Sequence, residues 1–182
     1  LFFTDKGRCY WLKVHEVPEG GRTARGRSVV NLLDKDKDDN ITAFVAVKEF
    51  RDDQYLIMAT QKGTIKKTVL AAYGNVRKGG INAINLAPGD SLIEVKMTDG
   101  KNDIVIGTSN GFAIRFNEKD VRDMGRTATG VRGVRLGKGD HVVGLLVIRN
   151  DQTTVLVVTE KGYGKRSDIN DYRITKRGGK GV

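Results

Sequence analysis

The chain closes with Arg173-Ile174-Thr175-Lys176-Arg177-Gly178-Gly179-Lys180-Gly181-Val182, which holds four cations and three glycines but no acid. Glycine lets the backbone approach a ligand closely and adopt positive φ, and Lys and Arg neutralise phosphates. We interpret the stretch as a phosphate-facing loop. Aligning Val182 with Val134, Ile84 and Val30 finds three more such loops, so we define the first to fourth basic loops as residues 20–27, 77–80, 126–133 and 173–182. Four copies of one loop predict a repeat protein.

Composition favours a polyanionic partner. Of the 182 residues, 32 are Lys or Arg and 22 are Asp or Glu, which gives a formal net charge of +10. An excess of this size is typical of nucleic-acid-binding proteins. The single cysteine, Cys9, excludes an intramolecular disulfide and fits a reducing cytoplasm. The sequence has no signal peptide and no apolar run near the roughly 20 residues of a membrane span.

A glycine turn at regular intervals sets the length of the repeat. The turn recurs as Asp5-Lys6-Gly7, Gln61-Lys62-Gly63, Ser109-Asn110-Gly111 and Glu160-Lys161-Gly162, with glycines 56, 48 and 51 residues apart. A period near 50 residues is typical of a four-stranded propeller blade. We expect a single partial domain over 1–182, with repeats at about 1–50, 51–100, 101–150 and 151–182. The strand-like start at Leu1-Phe2-Phe3-Thr4 predicts a chain cut from a longer protein.

Each repeat contains the same order of predicted elements. A buried strand such as 55–59 precedes the turn, and a second strand such as 112–116, with period-two alternation, follows it. A connector of one helical turn at most leads to the basic loop. The third strand is predicted at 29–32 and 84–86, and the fourth at 41–47, 92–97 and 142–148. The predicted fold is all-β, with about three and a half four-stranded blades.

Charges are sorted by position in the repeat. Acids gather in the turn before the fourth strand and at the junctions between repeats, whereas no acid occurs between Arg126 and Lys138. Stacked repeats place equivalent loops at equivalent heights, so we expect one side of the molecule to be basic. A charge that served only solubility would not be sorted in this way.

Other chemistries fit the sequence poorly. The acidic run 34–40 begins like a calcium loop but has Asp39 where glycine is needed. Gly178-Gly179-Lys180-Gly181 lacks the Ser or Thr that follows the lysine of a nucleotide phosphate loop. Two histidines and one cysteine are too few for a zinc site. Cys9 is predicted to be a core residue, and no tyrosine is given a catalytic role.

These motifs resemble the C-terminal domain of the A-type chain of bacterial DNA gyrase. Residues 175–181 resemble the family's box, Gln-Arg-Arg-Gly-Gly-Arg/Lys-Gly, and differ at its first position and conservatively at its second. Residues 24–27, 66–68, 130–137 and 162–166 also fit the family, so the likeness spans the whole chain. It implies a β-pinwheel, a propeller-like disc whose blades exchange strands. It also implies that a first blade and a catalytic region precede Leu1.

The resemblance further implies that duplex DNA of any sequence wraps around the basic rim and supports ATP-dependent negative supercoiling by the parent topoisomerase. This domain is then non-catalytic and holds no cofactor or metal, while ATP, Mg and gyrase B act through other regions of a cytoplasmic enzyme. The candidate DNA-binding residues lie in the basic loops and at equivalent strand positions: Arg22, Arg25, Arg27, Lys66, Lys67, Arg77, Lys78, Arg115, Arg126, Arg132, Arg135, Lys165, Arg166, Lys176, Arg177, Gly178, Gly179, Lys180 and Gly181. For the five strand positions, an exposed solvating face is the alternative.

Two other functions also fit the sequence. One is the C-terminal domain of the A-type chain of topoisomerase IV, which shares the fold but lacks a true box. The other is a propeller-type platform for acidic protein partners. Salt-dependent binding to duplex DNA of any sequence separates the DNA-binding functions from this platform.

Overall fold

Short antiparallel strands build the molecule. The computed structural model describes residues 1–75 and 77–182. Its strands are β1 (Phe2–Thr4), β2 (Arg8–Tyr10), β3 (Ile41–Phe44), β4 (Tyr55–Thr60), β5 (Thr64–Val69), β6 (Ile81–Asn82), β7 (Leu92–Thr98), β8 (Asp103–Thr108), β9 (Ala113–Asn117), β10 (Val131–Arg132), β11 (Val142–Ile148), β12 (Thr154–Val158) and β13 (Gly164–Asp168). The only helices in the described residues are 3₁₀ segments of three or four residues, at Val14–Glu16, Val29–Asn31, Leu70–Tyr73, Glu118–Asp120 and Ile169–Asp171. The all-β prediction and the predicted one-turn connectors are confirmed.

The sheets exchange strands along the chain. Their strand orders are β3-β1-β2-β6, β10-β5-β4-β7, β11-β8-β9 and β12-β13. The outer strand β6 of the first sheet therefore comes from the second repeat, and β10 of the second sheet comes from the third repeat. Val182 closes the third sheet in the same way, because its backbone exchanges two 2.8 Å hydrogen bonds with Ala113 on β9. This exchange is the pinwheel arrangement that the family resemblance implied.

The third strand lies three residues earlier than the sequence predicted. Ile81 pairs with Cys9, Val131 pairs with Ile65, and Val182 pairs with Ala113. Val182 is thus equivalent to Val131 and Ile81, and the alignment with Val134 and Ile84 was wrong. An apolar residue recurs after three positions in both loops, so the pattern of apolar residues fitted either register. Residues 29–31, predicted as a strand, form a 3₁₀ segment.

The hydrophobic core lies between neighbouring sheets. On β4, Leu56 and Met58 pack in one buried cluster with residues of the first repeat, whereas Ile57 and Ala59 pack in the next cluster with residues of the third. Both faces of β4 are therefore covered, as its continuous apolar run predicted. A smaller cluster around Val155 and Ile169 joins the last two sheets. Each repeat is stabilised mainly by burial against its neighbours.

Candidate nucleic-acid interface

Each of the last three basic loops fits closely against the sheet of the preceding repeat. Gly80, Gly130 and Gly181 have φ of 76°, 106° and 82°, in the left-handed region that favours glycine. A Cβ at Gly130 would lie 2.5 Å from the Ile65 carbonyl oxygen. Gly80 and Gly181 face the carbonyls of Cys9 and Ala113 in the same way. The glycines are therefore required by the close approach of loop and strand.

Hydrogen bonds join these loops to one another. The amide of Asn85 donates to the Ala128 carbonyl at 3.2 Å. The amide of Gly178 donates to the Gly133 carbonyl, and that of Arg135 to the Gly179 carbonyl, both at 2.8 Å. The third and fourth basic loops are therefore hydrogen-bonded to each other, and the third is bonded to the segment that follows the second loop. We call the candidate DNA-binding cations of the last three loops that are exposed, together with Arg135, the basic edge: Arg77, Lys78, Arg132, Arg135, Lys176 and Lys180.

A shallow groove opens where the third basic loop lies on the turn between β4 and β5. Its volume is about 440 Å³, and Lys62, Arg132 and Arg135 line it with the backbone of Gly63 and Gly130. The described lining residues include no carboxylate, so the groove is suited to an anion. Lys62 was not among the predicted site residues. Its signal was its place beside the turn glycine, which Lys6 and Lys161 share in other repeats.

Lys180 is held in place by an aromatic ring. Its ammonium lies 4.3 Å from the centre of the Phe112 ring, a cation–π contact. The side chain is nevertheless exposed. The contact orients the charge while leaving it open to a phosphate.

Three of the five predicted strand cations are not on the surface. Lys66, Lys67 and Arg115 are 0%, 6% and 5% exposed, so the expectation that they face solvent or a DNA rim was wrong. Lys67 donates to the Glu118 carbonyl at 3.3 Å and pairs with Asp123 at 3.1 Å. Arg115 donates to the equivalent carbonyl of the next repeat, that of Ile169, at 2.9 Å. These side chains bind the following repeat.

Two arginines of the basic loops also bind backbone. Arg126 donates from Nη1 to the carbonyl of Asn82 at 2.7 Å. Arg177 donates from Nη1 to the equivalent carbonyl, that of Arg132, and from Nε to that of Asp120 at 3.1 Å. Both arginines are half-buried. Each therefore links its loop to the exchanged strand of the repeat before it.

The remaining predicted residues differ in their surroundings. Lys165 and Arg166 are exposed on β13, and Arg22, Arg25 and Arg27 are exposed in the first basic loop. The hydrogen bonds that join the later loops do not extend to this first loop in the described part of the chain. Gly178 has φ of 85°, and both Gly178 and Gly179 are half-buried at the contact with the third loop.

Other candidate chemistry is not supported by the geometry. Burial raises the pKa of the Cys9 thiol to about 12, which keeps it protonated and unreactive at neutral pH. Among the described residues, no three His, Cys, Asp or Glu side chains are grouped as metal ligands. Asp39, in the acidic run, is buried and pairs with Lys6 at 3.2 Å. No described helix has the length and apolar character needed to span a membrane.

Exchanged strands and basic loops at each junction define a β-pinwheel domain. The chain belongs to the family described as "DNA gyrase C-terminal domain, beta-propeller", whose sequence model matches residues 1–47, 54–99, 102–149 and 153–182. It is 48% identical over 184 aligned residues to the gyrase A protein of Staphylococcus aureus strains MRSA252 and NCTC 8325, covering 100% of the chain and 21% of that protein. The chain thus spans about a fifth of these relatives.

Solved structures agree with this assignment. The crystal structure of the C-terminal domain of DNA topoisomerase IV matches with a TM-score of 0.90 at 31% identity, covering 100% of the chain and 56% of that structure. A structure of a DNA gyrase A C-terminal domain matches with a TM-score of 0.86 at 25% identity, covering 100% and 58%. The prediction of the family and of its fold is confirmed.

Proposed function

We propose that the chain binds duplex DNA along the basic edge and bends it, as the C-terminal domain of a DNA gyrase A protein. The observation that carries this proposal is the hydrogen-bonded contact between successive basic loops. It supports a series of exposed cations that runs across the third and fourth loops, beside the anion-suited groove. The 48% identity to DNA gyrase A supports the same function.

Recognition is proposed to be independent of base sequence. Lys and Arg contacts to phosphates fix position but carry no base code. The described helices, of three or four residues, are too short to serve as a recognition helix in the major groove. Affinity should therefore depend on salt and on duplex length.

The proposed phosphate contacts are Lys62 and the predicted cations that are exposed. These cations are Arg22, Arg25, Arg27, Arg77, Lys78, Arg132, Arg135, Lys165, Arg166, Lys176 and Lys180. Gly178, Gly179 and Gly181 shape the fourth loop. Lys66, Lys67, Arg115, Arg126 and Arg177 are proposed to hold the loops in place. The wider roles are also proposals: ATP-dependent negative supercoiling by a cytoplasmic parent enzyme, with gyrase B as partner and with ATP and Mg bound elsewhere.

A topoisomerase IV protein is the second candidate, because the backbone matches that C-terminal domain with a TM-score of 0.90. The box-like residues 175–181 and the 48% identity to the S. aureus gyrase A protein favour the first. The gyrase and topoisomerase IV assignments are distinguished by an experiment in which this chain is fused to a gyrase A cleavage core. Negative supercoiling of relaxed plasmid by the joined protein supports gyrase, and relaxation alone supports topoisomerase IV.

The direct test compares attachment with bending. Attachment is measured by gel shift on a 20-base-pair duplex, and bending by energy transfer between the ends of a duplex above ~100 base pairs. If six to ten phosphates are neutralised, affinity should fall ~10³–10⁵-fold between 50 and 200 mM salt. The ends of the long duplex should approach on binding. Binding that does not respond to salt, or ends that do not approach, would contradict the proposal.

A further inference from the structure

Lys66 is a charged residue at a position where the fold accepts an apolar one. It lies in the middle of β5, is 0% exposed, and is paired across the hairpin with Met58. The equivalent residue of the next hairpin is Ile114, which pairs with Ile106 and is 1% exposed. The fold therefore accepts an isoleucine at the equivalent site. A lysine at this position instead carries a desolvated charge at a cost in stability.

The ammonium of Lys66 binds the backbone of two different repeats. Its Nζ donates to the Ala83 carbonyl, just beyond β6, and to the Arg126 carbonyl in the third basic loop. The Gly125 carbonyl lies at 3.5 Å. No carboxylate in the described part of the chain pairs with it. Carbonyl dipoles alone hold the charge.

Arg126 adds a second bond between the third basic loop and the second repeat. Its guanidinium donates to the Asn82 carbonyl at 2.7 Å, while its own carbonyl accepts from Lys66. Tyr73 donates its hydroxyl to the Ala83 carbonyl at 3.0 Å. Residues 82–83 of the second repeat and 125–126 of the third are thus cross-linked by two cations.

We propose that Lys66 is a positioning residue for DNA bending, whose ammonium clamps the third basic loop onto the second repeat and so fixes the spacing of their exposed cations. This inference rests on the proposed function. Lys66 itself touches no phosphate, because it is fully buried. Its loss should leave local attachment to DNA intact and relax the geometry that a long duplex must follow.

The charge of this clamp depends on pH. Burial lowers the pKa of Lys66 to about 7, and the neighbouring Arg126 acts in the same direction. Around this site, the raised pKa of Tyr73 keeps its hydroxyl neutral, and Cys9 has a pKa of about 12. The pKa of the Leu1 ammonium is lowered, and this group interacts with Cys9 rather than with Lys66. About three-quarters of the Lys66 side chains are then charged at pH 6.5 and roughly one in thirty at pH 8.5.

The experiment uses end-to-end energy transfer on a duplex above ~100 base pairs, at pH 6.5 and 8.5, with the parent chain, Lys66→Met and Lys66→Arg. We expect the parent to bend DNA at pH 6.5 and to lose at least half of the transfer at pH 8.5. Lys66→Met should give the low energy transfer of the parent at pH 8.5 at both pH values. Lys66→Arg, which keeps its charge, should give the high energy transfer of the parent at pH 6.5 at both. Lys101→Met, an exposed lysine between β7 and β8, is the matched control and should follow the parent.

Binding to a 20-base-pair duplex tests the proposed DNA-binding function separately from the proposed role of Lys66. All variants should bind it within about twofold of the parent and with the same salt slope, since no phosphate contact is lost. No binding by the parent would reject the proposed function itself. Normal attachment together with parent-like bending and pH dependence in Lys66→Met would overturn the clamp. If Lys66→Arg does not fold, the comparison of parent with Lys66→Met still decides the question.

Discussion

The guanidinium of Arg177 donates to the carbonyl oxygen of Arg132, one repeat earlier in the chain, and Arg126 makes the equivalent bond to Asn82 at 2.7 Å. A loop cation thus serves as a link between repeats, while its neighbours Arg132 and Lys180 remain exposed. A cation that links two repeats can be distinguished experimentally from a cation that contacts a phosphate. Loss of the first should change bending of DNA, and loss of the second should change the salt dependence of binding.

We expect Arg177→Gln to reduce bending of a long duplex while leaving the salt slope of short-duplex binding unchanged. Lys180→Gln, in the same loop, should reduce that slope by about one, the effect of losing one phosphate contact. Gel shifts across a salt series measure the slope, and energy transfer measures the bend. Equal slopes for the two variants would mean that the assignment of link and contact is wrong.

Gly130→Ala should lower the free energy of unfolding by at least about 2 kcal/mol, because alanine is strained at positive φ and its Cβ would meet the Ile65 carbonyl. Gly125→Ala is the control in the adjoining turn, where a Cβ has open space. Urea denaturation of both variants provides the measurement. Equal destabilisation would show that the close fit of loop to strand is not the cause.

Arg115→Met should be destabilising by about 3–5 kcal/mol, because it leaves the mostly buried Asp103 without its 2.8 Å cationic partner and removes the hydrogen bond from Arg115 to the Ile169 carbonyl. Arg166 occupies the equivalent position on β13 but is exposed, so Arg166→Met should change stability by no more than about 0.5 kcal/mol. Denaturant midpoints compare the two. Similar losses in both variants would contradict the buried link.

Stability in the absence of DNA should rise as the pH rises from 7 to 9, through Lys66. Its folded-state pKa of about 7 lies below the unfolded value of 10.5, so the unfolded chain binds more protons across this range. The contribution is about 2 kcal/mol between pH 7 and 9. Lys66→Met should lack it, as measured by the difference in unfolding free energy between parent and variant at each pH. Bending is expected to fall over the same range, so parallel changes in stability and bending would contradict the clamp.

Local patterns were sufficient to predict the strands and turns. Gly7, Gly63, Gly111 and Gly162 all have positive φ at tight turns, and β4 is buried on both faces as its apolar run indicated. The register of the basic loops was not predictable, because an apolar residue follows Gly80 and Gly130 after both one and four positions. Only pairing with a strand of the preceding repeat selects between them.

The role of each cation was harder to predict than its place in the repeat. Lys66 and Lys165 occupy equivalent positions, yet one is fully buried and the other is exposed. The partners of Lys66 are backbone carbonyls at residues 83 and 126, which have no signature in the side-chain sequence. The sequence alone therefore does not distinguish a buried cation bound by carbonyl groups from a cation on the surface.

The exchanged strands also determine how the molecule would carry a mechanical load. Bent DNA tends to straighten, and its elastic recoil would pull outward on every loop that holds it. Because Val131 and Arg132 are hydrogen-bonded to β5 of the preceding repeat, a pull on the third loop is shared by two sheets. The hairpins β1–β2, β4–β5 and β8–β9, which each hold a strand or residue of the next repeat, cannot then be peeled away without also opening their neighbour. The load of the bent duplex would be shared by successive repeats.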